Sequence, residues 1–224
     1  MKPRCSIPIL LAFLAGCTNE PFKRPPLPIL NNPDPSAMRD SFAGTIPERF
    51  TSDDTVIIRA PFHDEMVVLG VLNVDRKAGT YELYGLNPLG VEFFHLGGDR
   101  NGPAIRSAVP PLMAHQDLLL SIARDIERMY FDLVPGNGSK IEVQSTRVIF
   151  TRMTADGTLT SEFGDEPAVL LEKHLDGFFG TIWRVRYYDY RPASGNRYPH
   201  AIVMDNSRYH YQIIVKNRDW SVEH

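Results

Sequence analysis

The segment AVLLEKHLDGFFGTIWRVRYYDY, residues 168–190, decides the fold. Two runs rich in apolar and aromatic residues flank Asp176-Gly177, a dipeptide suited to a tight hairpin. In the second run Trp183, Val185 and Tyr187 alternate with Arg184 and Arg186, the period of a strand with one apolar and one wet face. Strands are therefore expected over 168–174 and 178–190. The same signal stands on either side of them. Runs 140–152 and 158–163 flank Ala155-Asp156-Gly157, and runs 198–204 and 208–216 flank Asp205-Asn206-Ser207. In the last run Tyr209, Tyr211, Ile213 and Val215 form the apolar side, with His210, Gln212 and Lys216 on the other. Three successive hairpins with no strand–helix–strand rhythm predict an antiparallel meander.

Strands are also expected upstream, over 55–60, 66–75, 80–86 and 91–96. Asn87-Pro88-Leu89-Gly90 has the proline and glycine of a type I turn, and residues 97–102 read as a loop. Met66, Val68, Leu72 and Val74 share one face, as do Tyr81 and Leu83. One helix is expected over 115–133, between Pro110-Pro111 and the breaker cluster Pro135-Gly136-Asn137-Gly138. Its apolar stripe carries Leu118, Leu119, Ile122, Ile126 and Met129, opposite Arg124, Asp125, Glu127 and Arg128. The expected class is mainly β (α+β). One five-turn helix cannot cover a sheet of nine or ten strands, so two outcomes stay open. The sheet fills its interior with its own side chains, or it leaves a cavity for a hydrophobic guest.

The N-terminus has its own pattern. Lys2 and Arg4 precede a short apolar run over 7–14, too short to span a bilayer, and Leu14-Ala15-Gly16-Cys17 follows. This resembles the bacterial lipoprotein signal. That resemblance implies removal of residues 1–16 and acylation, including palmitate-type chains, at Cys17, with an outer-membrane address because no aspartate follows the cysteine. Pro21, Pro25, Pro26, Pro28, Pro33 and Pro35 make residues 18–36 an expected extended tether at ~3.1 Å per residue, within a lipidated linker over 17–45. The folded domain is expected over 46–224.

Loss of Lys2 and Arg4 would leave 22 basic against 27 acidic residues, a net charge of −5 in place of −3. Such a chain is a poor partner for nucleic acid. Of its two cysteines, Cys5 would leave and Cys17 would be acylated, so no disulfide or thiol nucleophile remains. His63-Asp64-Glu65 reads as a solvated turn. His95, His115, His174, His200 and His210 stand singly, without metal-ligand spacing. There is no Gly-x-Ser-x-Gly. No catalytic residue, metal or cofactor is expected, and the chain reads as a monomer.

Three segments carry a family resemblance: Tyr81-Glu82-Leu83-Tyr84-Gly85-Leu86-Asn87-Pro88-Leu89-Gly90-Val91-Glu92-Phe93-Phe94, the strand from Trp183 to Tyr187, and the end from Tyr198-Pro199-His200 to Val215. With the lipoprotein signal and the single helix opening at Leu118-Leu119-Leu120, they resemble the LolB-like outer-membrane lipoproteins of the LolA/LolB-like superfamily. The nearest likeness is to a branch of uncharacterised bacterial lipoproteins. The resemblance implies an antiparallel, unclosed β half-barrel of ten or eleven strands, lidded by one main amphipathic helix, whose cavity takes acyl chains. It implies a cavity wall of Met66, Val68, Leu72, Tyr81, Leu83, Trp183, Val185, Tyr187, Tyr209, Tyr211 and Ile213. It also implies a membrane-anchored station that receives or hands off lipid or lipoprotein cargo. The alternative is an accessory subunit of an envelope assembly, with a filled core and envelope proteins as partners.

Overall fold

The computed structural model describes residues 20–61, 64–165, 167–193 and 195–222. Cys17 and the signal segment lie outside the described residues, as does His63. Twelve antiparallel strands form one open sheet. In chain order they are β1 (Arg49–Arg59), β2 (Met66–Asp75), β3 (Thr80–Leu86), β4 (Glu92–Asp99), β5 (Gly102–Ala108), β6 (Lys140–Val143), β7 (Val148–Thr154), β8 (Gly157–Gly164), β9 (Val169–Gly177), β10 (Gly180–Ala193), β11 (Asn196–Asn206) and β12 (Tyr211–Val222). Their order across the sheet is β5-β4-β3-β2-β1-β12-β11-β10-β9-β8-β7-β6. The ends of the chain's two meanders, β1 and β12, thus meet in the middle, and the edges stay unjoined. Among the described residues three helices complete the fold: α1 (Pro35–Ala43), α2 (Pro110–Met113) and α3 (Gln116–Tyr130).

Alternation fixes the faces as expected. Phe50, Val56 and Ile58 of β1, Val68, Leu72 and Val74 of β2, Tyr81 and Leu83 of β3, Trp183, Val185 and Tyr187 of β10, and Tyr211, Ile213 and Val215 of β12 are all buried in one concave cluster. Met66 packs against it, half-buried. Helix α3 lies on this face and buries Leu119, Ile122, Ile126 and Met129. Each of these contributes about 1.5–3 kcal/mol of apolar transfer energy.

Several boundaries differ from the sequence reading. The expected helix over 115–133 is α3, which ends at Tyr130, and a separate one-turn α2 precedes it, because Pro110 and Pro111 occupy its first turn, where proline suits the helix. Residues 97–99 extend β4, and 102–108 form β5, so the expected loop shrinks to a tight turn. The run 140–152 is two strands, β6 and β7, joined through residues 144–147. The turn after β9 does not sit at Asp176-Gly177. These residues pair within the strands, and Phe178-Phe179 form the tip between Gly177 and Gly180. Gly180 holds a left-handed φ of 119°, which a side chain rarely adopts. The last turn slips likewise: residues 207–210 form it, and β12 begins at Tyr211.

The proline-rich segment is not a free spacer from Glu20 onward. It is a strap across the convex face. The Glu20 carboxylate meets Arg186 Nη1 at 2.6 Å, and Phe22 packs on Tyr188 with ring centroids 5.5 Å apart. Arg24 donates to the carbonyl of Leu171 at 2.7 Å, and the amide of Leu30 donates to that of Ser145 at 2.8 Å. The strap covers a second apolar cluster of Tyr188, Ala201, Val203 and Ile214. It then enters α1, whose N-cap Asp34 accepts from the amides of Ser36 and Ala37.

Candidate functional site: the concave face and its mouth

The twelve strands give the sheet two unlike ends. Register places the β1–β2, β3–β4, β7–β8, β9–β10 and β11–β12 turns at one end, called here the mouth. The turns β2–β3, β4–β5, β6–β7, β8–β9 and β10–β11 lie at the other end, the base. Helix α3 starts at the mouth and ends at the base, where it meets Arg76 and Pro47.

At the base, α3 is held by cations. Its last carbonyls lack helical partners. Arg76 Nε donates to the carbonyl of Tyr130 at 2.8 Å, and Arg76 Nη1 to that of Pro47 at 2.7 Å. Lys173 Nζ donates to the carbonyls of Phe131, at 2.9 Å, and Asp132. Positive charge at a helix C-terminus is favourable. Burial pulls the Arg76 guanidinium down to about 10 and the Lys173 ammonium down to about 8. Two tyrosines pin the helix along its length: Tyr81 Oη donates to the carbonyl of Ala123 at 2.7 Å, and Tyr187 Oη to that of Met129 at 2.9 Å.

Nearer the mouth the latch is a carboxylate. Asp125 of α3 is fully buried. It accepts hydrogen bonds from Tyr211 Oη, from Asn206 Nδ2 at 2.9 Å and from Arg128 Nη1 at 2.6 Å. Ser121 Oγ lies 2.9 Å from the same tyrosine hydroxyl. Burial pushes the Asp125 carboxyl above its ordinary range, against the lowering effect of its donors.

The space left on this face is divided between the ends. At the base, a recess of about 40 Å³ lies among Phe50, Asp54, Arg76, Tyr130, Asn217 and Trp220, room for a water or two. Burial raises the Asp54 carboxyl to about 6, although Ser52 and Asn217 donate to it. At the mouth, an open cleft of about 810 Å³ runs between the α2–α3 corner and the last turn, lined by Ala60, Pro61, Met113, Leu118, Tyr209 and Tyr211 together with the polar His115, Gln116, Asp117 and His210.

Of the expected wall, Val68, Leu72, Tyr81, Leu83, Trp183, Val185, Tyr187, Tyr211 and Ile213 are brought together on the concave face. They are covered by α3 rather than facing an open cavity. Tyr209 is corrected: it leaves the strand pattern for the turn, stands 42% exposed, and borders the cleft from outside the sheet. Of the expected lid, Leu119, Ile122, Ile126 and Met129 lie beneath the helix, and Leu118, half-buried, faces the mouth. Spacing along the chain misses one cluster on the convex face, where Glu162, Glu172 and His174 bring three ligand-type atoms within 4.8 Å of one another. Cross-strand pairing of Glu162 with Glu172 makes it, so hairpin register is the signal that finds it. Arg147 and Arg184 already pair these carboxylates. Glu172 raises the His174 imidazole toward its protonated, non-ligating form.

No family model matches the chain, and no curated protein does. Solved structures do. A LolA superfamily protein from Nitrosomonas europaea superposes with a TM-score of 0.53 at 8% identity, over 84% of this chain and 93% of its own. A DUF1329 family protein from Desulfovibrio piger superposes with a TM-score of 0.50 at 10% identity, over 85% of this chain and 94% of its own. At these identities the likeness is one of architecture: the chain shares an unclosed β half-barrel fold with these two structures.

Proposed function

We propose that this chain is a non-catalytic lipoprotein, anchored through Cys17 on the periplasmic face of the outer membrane, that binds a lipid or other hydrophobic ligand at the mouth of its half-barrel. The observation that carries this reading is the cleft of about 810 Å³, within the range of small-molecule sites. Tyr211 and Leu118 join its mixed polar and apolar wall to the apolar cluster beneath α3. Each methylene of an acyl chain buried there would gain about 0.8 kcal/mol before ordering costs. Deeper seating requires the first turns of α3 to lift. That part of the helix is held by the polar latch at Asp125, whose donors are replaceable by water once it opens. Fold likeness to a LolA superfamily protein fits a binding role of this kind. The direction of transfer, and whether lipoproteins are cargo, belong to the same proposal.

A second reading has its own support. Below α3 the concave face is filled, with about 40 Å³ free at the base. A filled core suits an accessory subunit of an envelope assembly. Native mass spectrometry after gentle purification, followed by titration with a fluorescent fatty-acyl probe, separates the two. The carrier reading expects co-purified lipid or saturable uptake of the probe. A chain that is always ligand-free and takes up no probe overturns it in favour of the accessory reading.

A further inference from the structure

The open sheet ends on two unlike edges, β5 and β6. The β5 edge is guarded. It is half-buried over most of its length, carries Pro103, which has no amide to offer, and lies against α3. Arg106 reaches from it to the Glu82 carboxylate at 3.2 Å. Proline, charge and a covering helix are common protections of an edge strand.

The β6 edge is open. All four of its residues are exposed, and among the described residues no strand pairs with its outer side. Ile141 and Val143 stand opposite Phe150 and Val148, which are buried in the concave cluster. The apolar floor therefore runs out to this edge, where Ile141 and Val143 are 45% and 51% exposed. Backbone alternation says which groups face outward. The Gln144 amide donates to the carbonyl of Arg147 at 2.8 Å, closing the β6–β7 turn. In an antiparallel pair, hydrogen-bonded and non-bonded partners alternate. Lys140 and Glu142 therefore direct their amides and carbonyls to β7, and those of Ile141 and Val143 point to the empty side.

We propose that the β6 edge pairs with the β6 edge of a second copy of this chain, antiparallel, about a two-fold axis at Ile141. Two antiparallel registers overlap most of the strand and keep outward-facing residues opposite one another. One sets Ile141 against the partner's Val143, which places Glu142 opposite the partner's Glu142; like charges directly opposite are destabilising. The other sets Ile141 against the partner's Ile141 on the concave side, and places Lys140 opposite the partner's Glu142 on both sides of the axis. Lys140 has no ion pair of its own among the described residues, and Glu142 accepts from Gln144 Nε2 through one oxygen only. Charge self-complementarity thus selects a second copy, and one register. The pair closes on itself, because the edges it leaves are the two guarded β5 strands. Its mouths open at opposite ends, so the contact is independent of any ligand in the cleft. Four residues make a small contact, so the monomer expected from the sequence becomes one side of an equilibrium.

Sedimentation equilibrium of the full chain in density-matched detergent, from about 10 μM to about 1 mM, reads this association. A reversible monomer–dimer equilibrium is expected. Lys140→Glu alone, or Glu142→Lys alone, sets like charges opposite each other twice and is expected to weaken the dimer at least about fivefold. An equimolar mixture of the two variants restores opposite charges at both positions and is expected to dimerise as tightly as the unaltered chain. A chain monomeric throughout overturns the proposal, and is also what an edge reserved for a different protein would give. A dimer indifferent to both reversals, a mixture no tighter than either variant alone, or growth beyond a dimer overturns it equally. Both altered side chains are exposed, so each variant is expected to keep its melting temperature and its uptake of the fatty-acyl probe. Failure here therefore leaves binding at the mouth standing.

Discussion

The mouth and base of this half-barrel are built from the same alternating strands, yet they hold helix α3 in opposite ways. At the base, Arg76 and Lys173 reach from the sheet to backbone carbonyls that the ending helix cannot satisfy. At the mouth, the helix supplies a buried carboxylate, Asp125, to hydroxyl and amide donors of β11 and β12. The base clamp stands between a buried helix end and unsatisfied carbonyls, so loosening it is costly. The mouth latch sits beside an open cleft, where water can take over its hydrogen bonds. One helix thus has a fixed end and a releasable end.

Three substitutions would break or sharpen this contrast. The largest effect is expected at the base. Arg76→Met removes two charge-assisted hydrogen bonds and leaves the Tyr130 and Pro47 carbonyls buried without donors, a loss of about 3 kcal/mol in urea unfolding. Tyr211→Phe, at the mouth, removes one donor from Asp125 but keeps the ring, and is expected to lose about 1–2 kcal/mol. It should also speed uptake of a fatty-acyl probe in stopped-flow fluorescence; a slower rate would show that this contact does not gate the helix. The smallest change has the opposite sign. The Asp54 carboxyl is raised to about 6 from an ordinary 3.8, so the native state holds this proton more tightly than the unfolded chain. Its cost is present in full above about pH 6 and disappears as the pH falls toward 4. Asp54→Asn is therefore expected to stabilise the chain by about 1–2 kcal/mol at pH 8 and by little at pH 4, as followed by thermal melts across that range.

Which face of each strand is buried was legible in the sequence, because period-two alternation carries one meaning in a sheet with a single covered side. Trp183, Val185 and Tyr187 needed nothing else to be placed. The turns were less legible. Asp176-Gly177 and Asp205-Asn206 carry the residues of tight turns, yet both remain in the ladder, and the chain reverses two to three residues later. Asp176 instead accepts a hydrogen bond from Thr181 Oγ1 across the hairpin at 2.7 Å, which moves Phe178 and Phe179 to the tip. No turn preference places two phenylalanines there, so this exposed tip was invisible to propensity. Helix α1 hid inside a proline-rich run, although Asp34-Pro35 is a sound helix start. Strand β5, short and at the sheet edge, has a glycine, a proline and two polar residues in seven, and lacks the apolar run of its neighbours. Burial on the convex face under the strap, which covers Arg186 and Tyr188, depends on tertiary contact alone.

Of the chain's two tryptophans Trp183 is the nearer to the mouth, paired with Asn206 and with its ring centroid 5.8 Å from Lys173 Nζ beneath the end of α3, and Trp220 is in the wall of the base recess. Quenching by a brominated fatty acid therefore tests the central claim most directly. With Trp220→Phe leaving Trp183 as sole emitter, saturable quenching is predicted. With Trp183→Phe leaving Trp220, little is predicted. Equal quenching of both, or of neither, would contradict a ligand seated at the mouth of the half-barrel.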